Sequence, residues 1–255
     1  MRVINHSSPC AFVVGGSTGI GRAIAQALLS EGIEVVIFSR SDPLASAGLA
    51  GARWWPLDLS RPETSRRELD RAVAKFGQRL IAVFYSAVYY GPGRAPLLDV
   101  PYNQWRDQLN INLNGLWHTL SATLPALMTQ SPGLFVGISS EVVYNAGPHR
   151  AGYAATKAGA ASLLQSVAQE YPESHLRVVQ LLPAGMVDTP GIRRRREVGF
   201  DYSAYMDPAS FQAVAVQLVR ERGAGLHGCS LVVDAQGHLR PVSDTLPPSQ
   251  SRRPA

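Results

Sequence analysis

The feature that most constrains this chain is a regular alternation of short apolar runs with longer stretches of helical spacing. Residues 11–14, 35–38, 81–85, 134–138, 178–182 and 231–233 are nearly continuous apolar runs, and a shorter candidate lies at 53–57. Between them, 20–30, 63–76, 103–128, 153–171 and 209–221 place apolar residues three and four apart. A strand with one wet face alternates apolar and polar residues, whereas a strand covered on both faces does not. The alternation therefore predicts an α/β fold: a doubly wound parallel sheet of about seven strands, with helices on both faces, in one domain over 1–241. Ligands in such sheets bind beyond the carboxyl ends of the strands, where the strand order reverses.

Two segments depart from the rhythm. Residues 189–208 hold Pro190, Gly191, four consecutive arginines (Arg193, Arg194, Arg195 and Arg196), Gly199 and Pro208, and a loop of this length predicts a functional, substrate-facing segment. Residues 242–255 are rich in Pro, Ser and Arg and are expected to form a disordered tail. The net charge of +5 admits an anionic partner, but outside the arginine run the basic residues are dispersed, which argues against nucleic acid. Cys10 and Cys229 each adjoin an apolar run and are expected to be small buried thiols rather than a disulfide or a metal site. No run of about 18 apolar residues occurs and the N-terminus lacks signal-peptide character, so the expectation is a cytoplasmic protein with no membrane partner.

The first apolar run enters Gly15-Gly16-Ser17-Thr18-Gly19-Ile20-Gly21 and then a helix. Glycines allow backbone to approach an anion closely, and the free amides of a helix N-terminus face it. Gly15, Ser17, Thr18, Gly19, Ile20 and Gly21 are thus candidate contacts to a dinucleotide phosphate, making the sheet Rossmann-type. The second strand ends in Ser39 and Arg40. An acid there would accept from a ribose 2′-hydroxyl, whereas a guanidinium suits a 2′-phosphate, so the expected cofactor is NADP(H), with NAD(H) as the alternative. Asp58 is placed to meet the adenine edge or to cap the following helix.

Tyr153 and Lys157 stand four apart at the start of a predicted helix, which puts them on one face. A fixed positive charge near a phenol stabilises the phenolate, so Lys157 is expected to lower the Tyr153 pKa and leave it able to exchange a proton with a carbonyl or alcohol oxygen. Of 24 basic residues only Lys75 and Lys157 are lysines, which hints at a role that arginine would fill poorly. Ser140 follows the 134–138 run, at a carboxyl end, where its hydroxyl can hold a substrate oxygen or cap a turn.

With these motifs the chain resembles the short-chain dehydrogenase/reductase family, in its single-domain form, over residues 11–233. The resemblance rests on the glycine turn, on the spacing of Ser140, Tyr153 and Lys157, and on Asn112 in Ile111-Asn112-Leu113-Asn114-Gly115. It implies that Asn112 joins Ser140, Tyr153 and Lys157 in the catalytic set by holding a water that relays protons to the lysine. Ala184-Gly185-Met186-Val187-Asp188-Thr189 is similar to the family's Pro-Gly-x-x-x-Thr segment, which implies cofactor contacts from Gly185, Val187 and Thr189. Where the family carries Asn-Asn-Ala-Gly, this chain has Tyr85-Ser86-Ala87-Val88. Ser86 and Ala87 are expected beside the cofactor, and the change removes an asparagine that ties strands together and adds a β-branched side chain near the cofactor. Thr18 stands where many NADP(H)-preferring members have a basic residue, which leaves phosphate selection to Arg40.

Substrate-side candidates are Tyr89, Tyr90, Glu141 and Tyr144, the tyrosines either lining a pocket or packed with a polar tip. The arginine run either steers an acidic or carrier-bound substrate or is a solvated face. Three functions follow: a ketoreductase using NADPH on a small metabolite or acyl-type substrate; an NAD(P)+-dependent alcohol dehydrogenase; and a catalytically silent dinucleotide-binding regulator or scaffold, which the presence of all four catalytic residues disfavours. The resemblance also implies a homo-oligomer, dimeric or tetrameric.

Overall fold

The computed structural model describes residues 8–242. Eight strands form one sheet: β1 (Cys10–Val14), β2 (Glu34–Ser39), β3 (Arg53–Pro56), β4 (Leu80–Tyr85), β5 (Gly133–Ile138), β6 (Leu176–Pro183), β7 (Ser230–Val233) and β8 (Leu239–Pro241). Their order is β3-β2-β1-β4-β5-β6-β7-β8, parallel throughout except for the antiparallel β7–β8 pair. The helices that matter for the site are α1 (Gly19–Ser30), α2 (Pro62–Phe76), α3 (Tyr102–Gln108), α4 (Gly115–Met128), α5 (Val142–Asn145), α6 (Ala151–Glu170), α7 (Pro190–Arg193) and α8 (Ser210–Arg220).

The central strands β1, β2, β4 and β5 are largely apolar because both faces of the sheet are covered there. Phe12, Phe38 and Phe135 pack with α2, α4 and α6 in one core, while Val13, Ile37, Phe84 and Val136 pack with α1 and α8 in the other. The reversal of strand order lies between β1, which pairs with β2, and β4, which continues toward β5. The loops leaving β1 and β4 therefore diverge there and open a cleft.

Three expectations change. The sheet has an eighth strand, three residues long, whose Arg240 and Pro241 are exposed and so give no apolar run. Val242, expected to begin a disordered tail, is buried with Leu182 and Val232; the rest of that expected tail, 243–255, lies outside the described residues. The helix expected over 103–128 is divided by a π-helical turn, Leu109–Asn114. Its asparagines are poor helix formers, and Asn110 and Asn112 bond outside the turn, to Ser60, Tyr89 and Thr156. The Tyr85 hydroxyl also donates to the Ile111 carbonyl inside the turn.

Cys10 is fully buried in β1, where burial pushes its thiol up to about 12, and it and Cys229 are both free. No helix among the described residues is long and apolar enough to cross a membrane.

Candidate active site

A cleft of about 660 Å³ runs across the carboxyl ends of the strands, from Arg40 and Asp58 at one end to Ser140, Tyr153 and Lys157 at the other. Gly15, Ser17, Thr18, Gly19 and Ile20 line it. Gly15 adopts φ +83°, and a Cβ there would come within 2.5 Å of the Ala87 amide nitrogen, so the β1 turn and the β4 loop touch through a position only glycine can fill. The first turn of α1 has no capping side chain, which leaves its amides free for an anion. Gly21, expected to touch cofactor, does not line the cleft. It packs beneath the turn, where a Cβ would lie 2.3 Å from the Gly15 carbonyl oxygen, so its glycine is required by backbone packing instead.

At the end of β2, Ser39 is buried and donates to the Ser41 carbonyl at 2.8 Å. Arg40 is exposed, lines the cleft and has no hydrogen-bond or ion-pair partner among the described residues. Asp58 also lines the cleft but holds the Ser60 amide and hydroxyl at 3.1 and 2.7 Å, so its carboxylate shapes the turn into α2. Ser86, Ala87, Gly185, Val187 and Thr189 complete the wall, with Thr189 capping α7 through the Ile192 amide at 3.3 Å.

Tyr153 and Lys157 occupy one face of α6, and Ser140 follows β5. The Ser140 hydroxyl donates to Glu141 at 2.7 Å, and Glu141 in turn accepts from Arg150 at 3.0 Å. Lys157 is buried and donates to the Ile138 carbonyl at 2.7 Å. Burial lowers its pKa to about 8. The expected lowering of Tyr153 by Lys157 is not met in this structure. Burial raises the phenol well above its ordinary value and the neighbouring Tyr90 adds to the rise, while contact with Ser140 works the other way; Lys157 is not among the influences. The cause is visible in the direction of the lysine, which turns its ammonium back to β5.

Asn112 sits in the π-helical turn with its amide fully used. Its oxygen accepts from the Tyr89 amide at 2.7 Å, and its nitrogen donates to the Tyr89 carbonyl and to Thr156, both at 3.0 Å. Gln108 adds a second tie, donating to the Tyr90 carbonyl at 2.9 Å. The segment after β4 is thus clamped so that the Tyr90 ring packs 5.0 Å from the Tyr153 ring. Tyr89, Tyr90 and Glu141 line the cleft. Tyr144 does not: it lies 43% exposed on α5, none of whose residues lines the cleft.

Sequence reasoning did not find Gln180. Behind Lys157 a second cavity of about 10 Å³ has room for a single water and is lined by Tyr85, Asn112, Ser139, Lys157 and Gln180, among others. Gln180 donates to the Ala161 carbonyl at 3.3 Å, while its own side-chain oxygen is buried without a partner among the described residues. The signal was a lone amide inside the otherwise apolar run 178–182.

Residues 9–198 match the family model for short chain dehydrogenases. The chain belongs to this family. It is 31% identical over 243 residues to L-rhamnose-1-dehydrogenase of Scheffersomyces stipitis, covering 87% of this chain and 93% of that one. It is 30% identical over 191 residues to the granaticin polyketide synthase putative ketoacyl reductase 2 of Streptomyces violaceoruber, covering 72% and 74%. Among solved structures, ligand-free Thermoplasma acidophilum aldohexose dehydrogenase superposes with a TM-score of 0.80 at 22% identity, covering 96% of this chain and 98% of that one. The short-chain dehydrogenase assignment makes this chain an oxidoreductase of a family that binds NAD(P) and acts on small molecules.

Proposed function

We propose that this short-chain dehydrogenase is an NADP(H)-dependent reductase of a ketone on a small metabolite or acyl-type substrate. The observation that carries the cofactor choice is Arg40: a charged fork at the end of β2, lining the cleft and unpaired among the described residues, with no acid at the β2 end to receive a ribose 2′-hydroxyl. The residues fit a dinucleotide. The Gly15 turn and the uncapped α1 terminus suit the pyrophosphate, Arg40 the 2′-phosphate, and Val187 and Thr189 the nicotinamide half. When bound, the nicotinamide supplies or accepts the hydride.

The chain's own residues handle the proton. Tyr153, its pKa raised by burial, is fully protonated at neutral pH and ready to donate to the carbonyl oxygen, which is the order that reduction needs. Ser140 donates a hydrogen bond to the same oxygen after releasing Glu141. Lys157 holds a proton that titrates near neutrality, beside a one-water cavity that also touches Asn112 and Gln180. Because the Asn112 amide is spent on Tyr89 and Thr156, a water there would be held by main chain and by the Gln180 oxygen rather than by the asparagine side chain.

The test is a parallel fluorescence titration with NADPH and NADH of wild type and Arg40→Ala. NADPH is expected to bind at least about tenfold more tightly, and the variant to lose that advantage, as fits removal of a charge-assisted phosphate contact. Equal or tighter NADH binding would reject the Arg40 assignment and move the reading to NAD+-dependent oxidation of an alcohol.

A further inference from the structure

The structure sorts the four consecutive arginines into different roles. Arg193 is paired with Asp188 at 2.5 Å and lies over the Tyr202 ring, and Arg196 donates to the Tyr205 hydroxyl at 2.8 Å. Arg194 is exposed at the cleft wall. Arg195 alone turns inward: its guanidinium carbon lies 5.1 Å from the centre of the Tyr90 ring, whose other neighbour is Tyr153. Its Nε is buried and has no hydrogen-bond partner among the described residues. Arg94 lines the same cleft close enough to add like charge.

Among the described residues no acid is paired with this positive group. The acids lining the cleft are Asp58, at the far end and bound to Ser60, and Glu141, already held by Ser140 and Arg150. A half-buried guanidinium with no counter-charge beside it costs stability, and an anion in the cleft would offset that cost. Planar N–H pairs of this kind match carboxylate and phosphate oxygens.

We propose that the ketone substrate carries a compact anion, and that Arg195 anchors it one ring's width from the Tyr153 phenol. The proposal rests on the reductase reading above and adds the substrate's charge. Contact with the Tyr90 ring holds the guanidinium close to Tyr153, so the anchor also sets how far the reacting carbonyl stands from the anion.

The experiment compares kcat/KM with NADPH for matched ketones: acetoacetate and 4-oxopentanoate against their methyl esters, and dihydroxyacetone phosphate against dihydroxyacetone, in wild type and Arg195→Met. Wild type is expected to prefer the anionic member of at least one pair. The two pairings separate a carboxylate from a phosphate as the natural group. Arg195→Met, which keeps an apolar side chain over Tyr90, is expected to cut the acid-to-ester preference by about ten- to a hundredfold, the worth of a hydrogen bond to a charged group. A wild type that prefers the neutral members, or a variant that lowers both members equally, would overturn the proposal. So would a variant that weakens NADPH affinity, which would assign Arg195 to the cofactor's phosphates. A second arm needs no turnover: glutarate, an anion without a ketone, should raise the Tm of the wild-type NADPH complex and not that of Arg195→Met. Absence of that shift in wild type overturns the anion site. A shift with no ketone reduced would support the site and refute the reductase reading instead.

Discussion

Replacing Lys157 with methionine should change stability with a defined dependence on pH. Burial lowers the lysine from an ordinary 10.5 to about 8, so the fold carries a charged group that it disfavours at neutral pH. The full shift corresponds to about 3 kcal/mol. The sign follows from proton binding. Between the two values the unfolded chain holds a proton on this lysine and the folded chain does not, so the group's contribution to stability rises with pH through that window and is lost as pH falls toward 8. Methionine removes the titration but also leaves the Ile138 carbonyl without its donor, a loss of about 1–3 kcal/mol. At pH 7.5 the two effects partly offset, and Lys157→Met is expected to be close to wild type in stability despite losing a buried hydrogen bond. Between pH 7.5 and 10 wild type should gain about 2 kcal/mol on the variant. Urea unfolding of both proteins, followed by tryptophan fluorescence at several pH values, measures this difference directly. Groups common to both cancel, including the raised tyrosines. A difference that stays flat across the window would refute the reasoning, because the ammonium would then be hydrated or paired in the folded protein.

Three further outcomes follow from the same geometry. Tyr153→Phe should lower the reduction rate by about 10²–10⁴ while leaving NADPH titration unchanged, because only the transferable proton is removed; a variant that keeps its rate would show that the proton comes from elsewhere. Gly15→Ala, at φ +83° and 2.5 Å from the Ala87 amide, should lose NADPH affinity or fail to fold, with circular dichroism separating the two results; near-native affinity would show that the β1 turn and β4 loop do not meet as described. Tyr85→Phe removes a donor to the half-buried Ile111 carbonyl and should cost about 0.5–1.5 kcal/mol in urea unfolding, and an unchanged midpoint would mean that water replaces the phenol.

Much of the fold was legible because a doubly covered sheet leaves a mark in every strand: the runs at 11–14, 35–38 and 81–85 admit little but buried β-structure. β8 escaped because an edge strand of three residues with Arg240 and Pro241 carries no such mark. The division of the helix over 103–128 escaped for another reason. A π-helical turn adds a residue without disturbing the apolar spacing on either side, and one contact that holds it, the Tyr85 hydroxyl, comes from more than twenty residues away. In the site, residues named through local motifs line the cleft: Ser17, Arg40, Tyr90, Ser140, Tyr153 and Lys157. Gly21 and Tyr144 were misplaced because adjacency in sequence does not show which side of a turn faces the ligand. Arg195 could not be told from its three neighbours, since only the folded loop decides which arginine turns inward.

The segment Tyr85-Ser86-Ala87-Val88 is the chain's main departure from its family, and the structure gives it a physical account. An asparagine at the first position would tie neighbouring strands through an amide. Tyr85 instead extends a phenol out of β4 into the π-helical turn, where a Cβ on Gly115 would come within 2.5 Å of its oxygen. The tie therefore runs from sheet to helix, and it fixes the segment that carries Asn112. Asn112 in turn clamps Tyr89, Gln108 clamps Tyr90, and the Tyr90 ring packs against both Tyr153 and Arg195. A substitution that looked like damage to a cofactor loop thus lies at the start of a chain of contacts reaching Tyr153, the proposed proton donor. On this argument an asparagine restored at position 85 would not improve the site. It would leave Ile111 unanswered and loosen the Tyr90 ring, so Tyr85→Asn should lower ketone reduction more than it lowers NADPH affinity, and an equal loss of both would place the effect of Tyr85 on the cofactor instead.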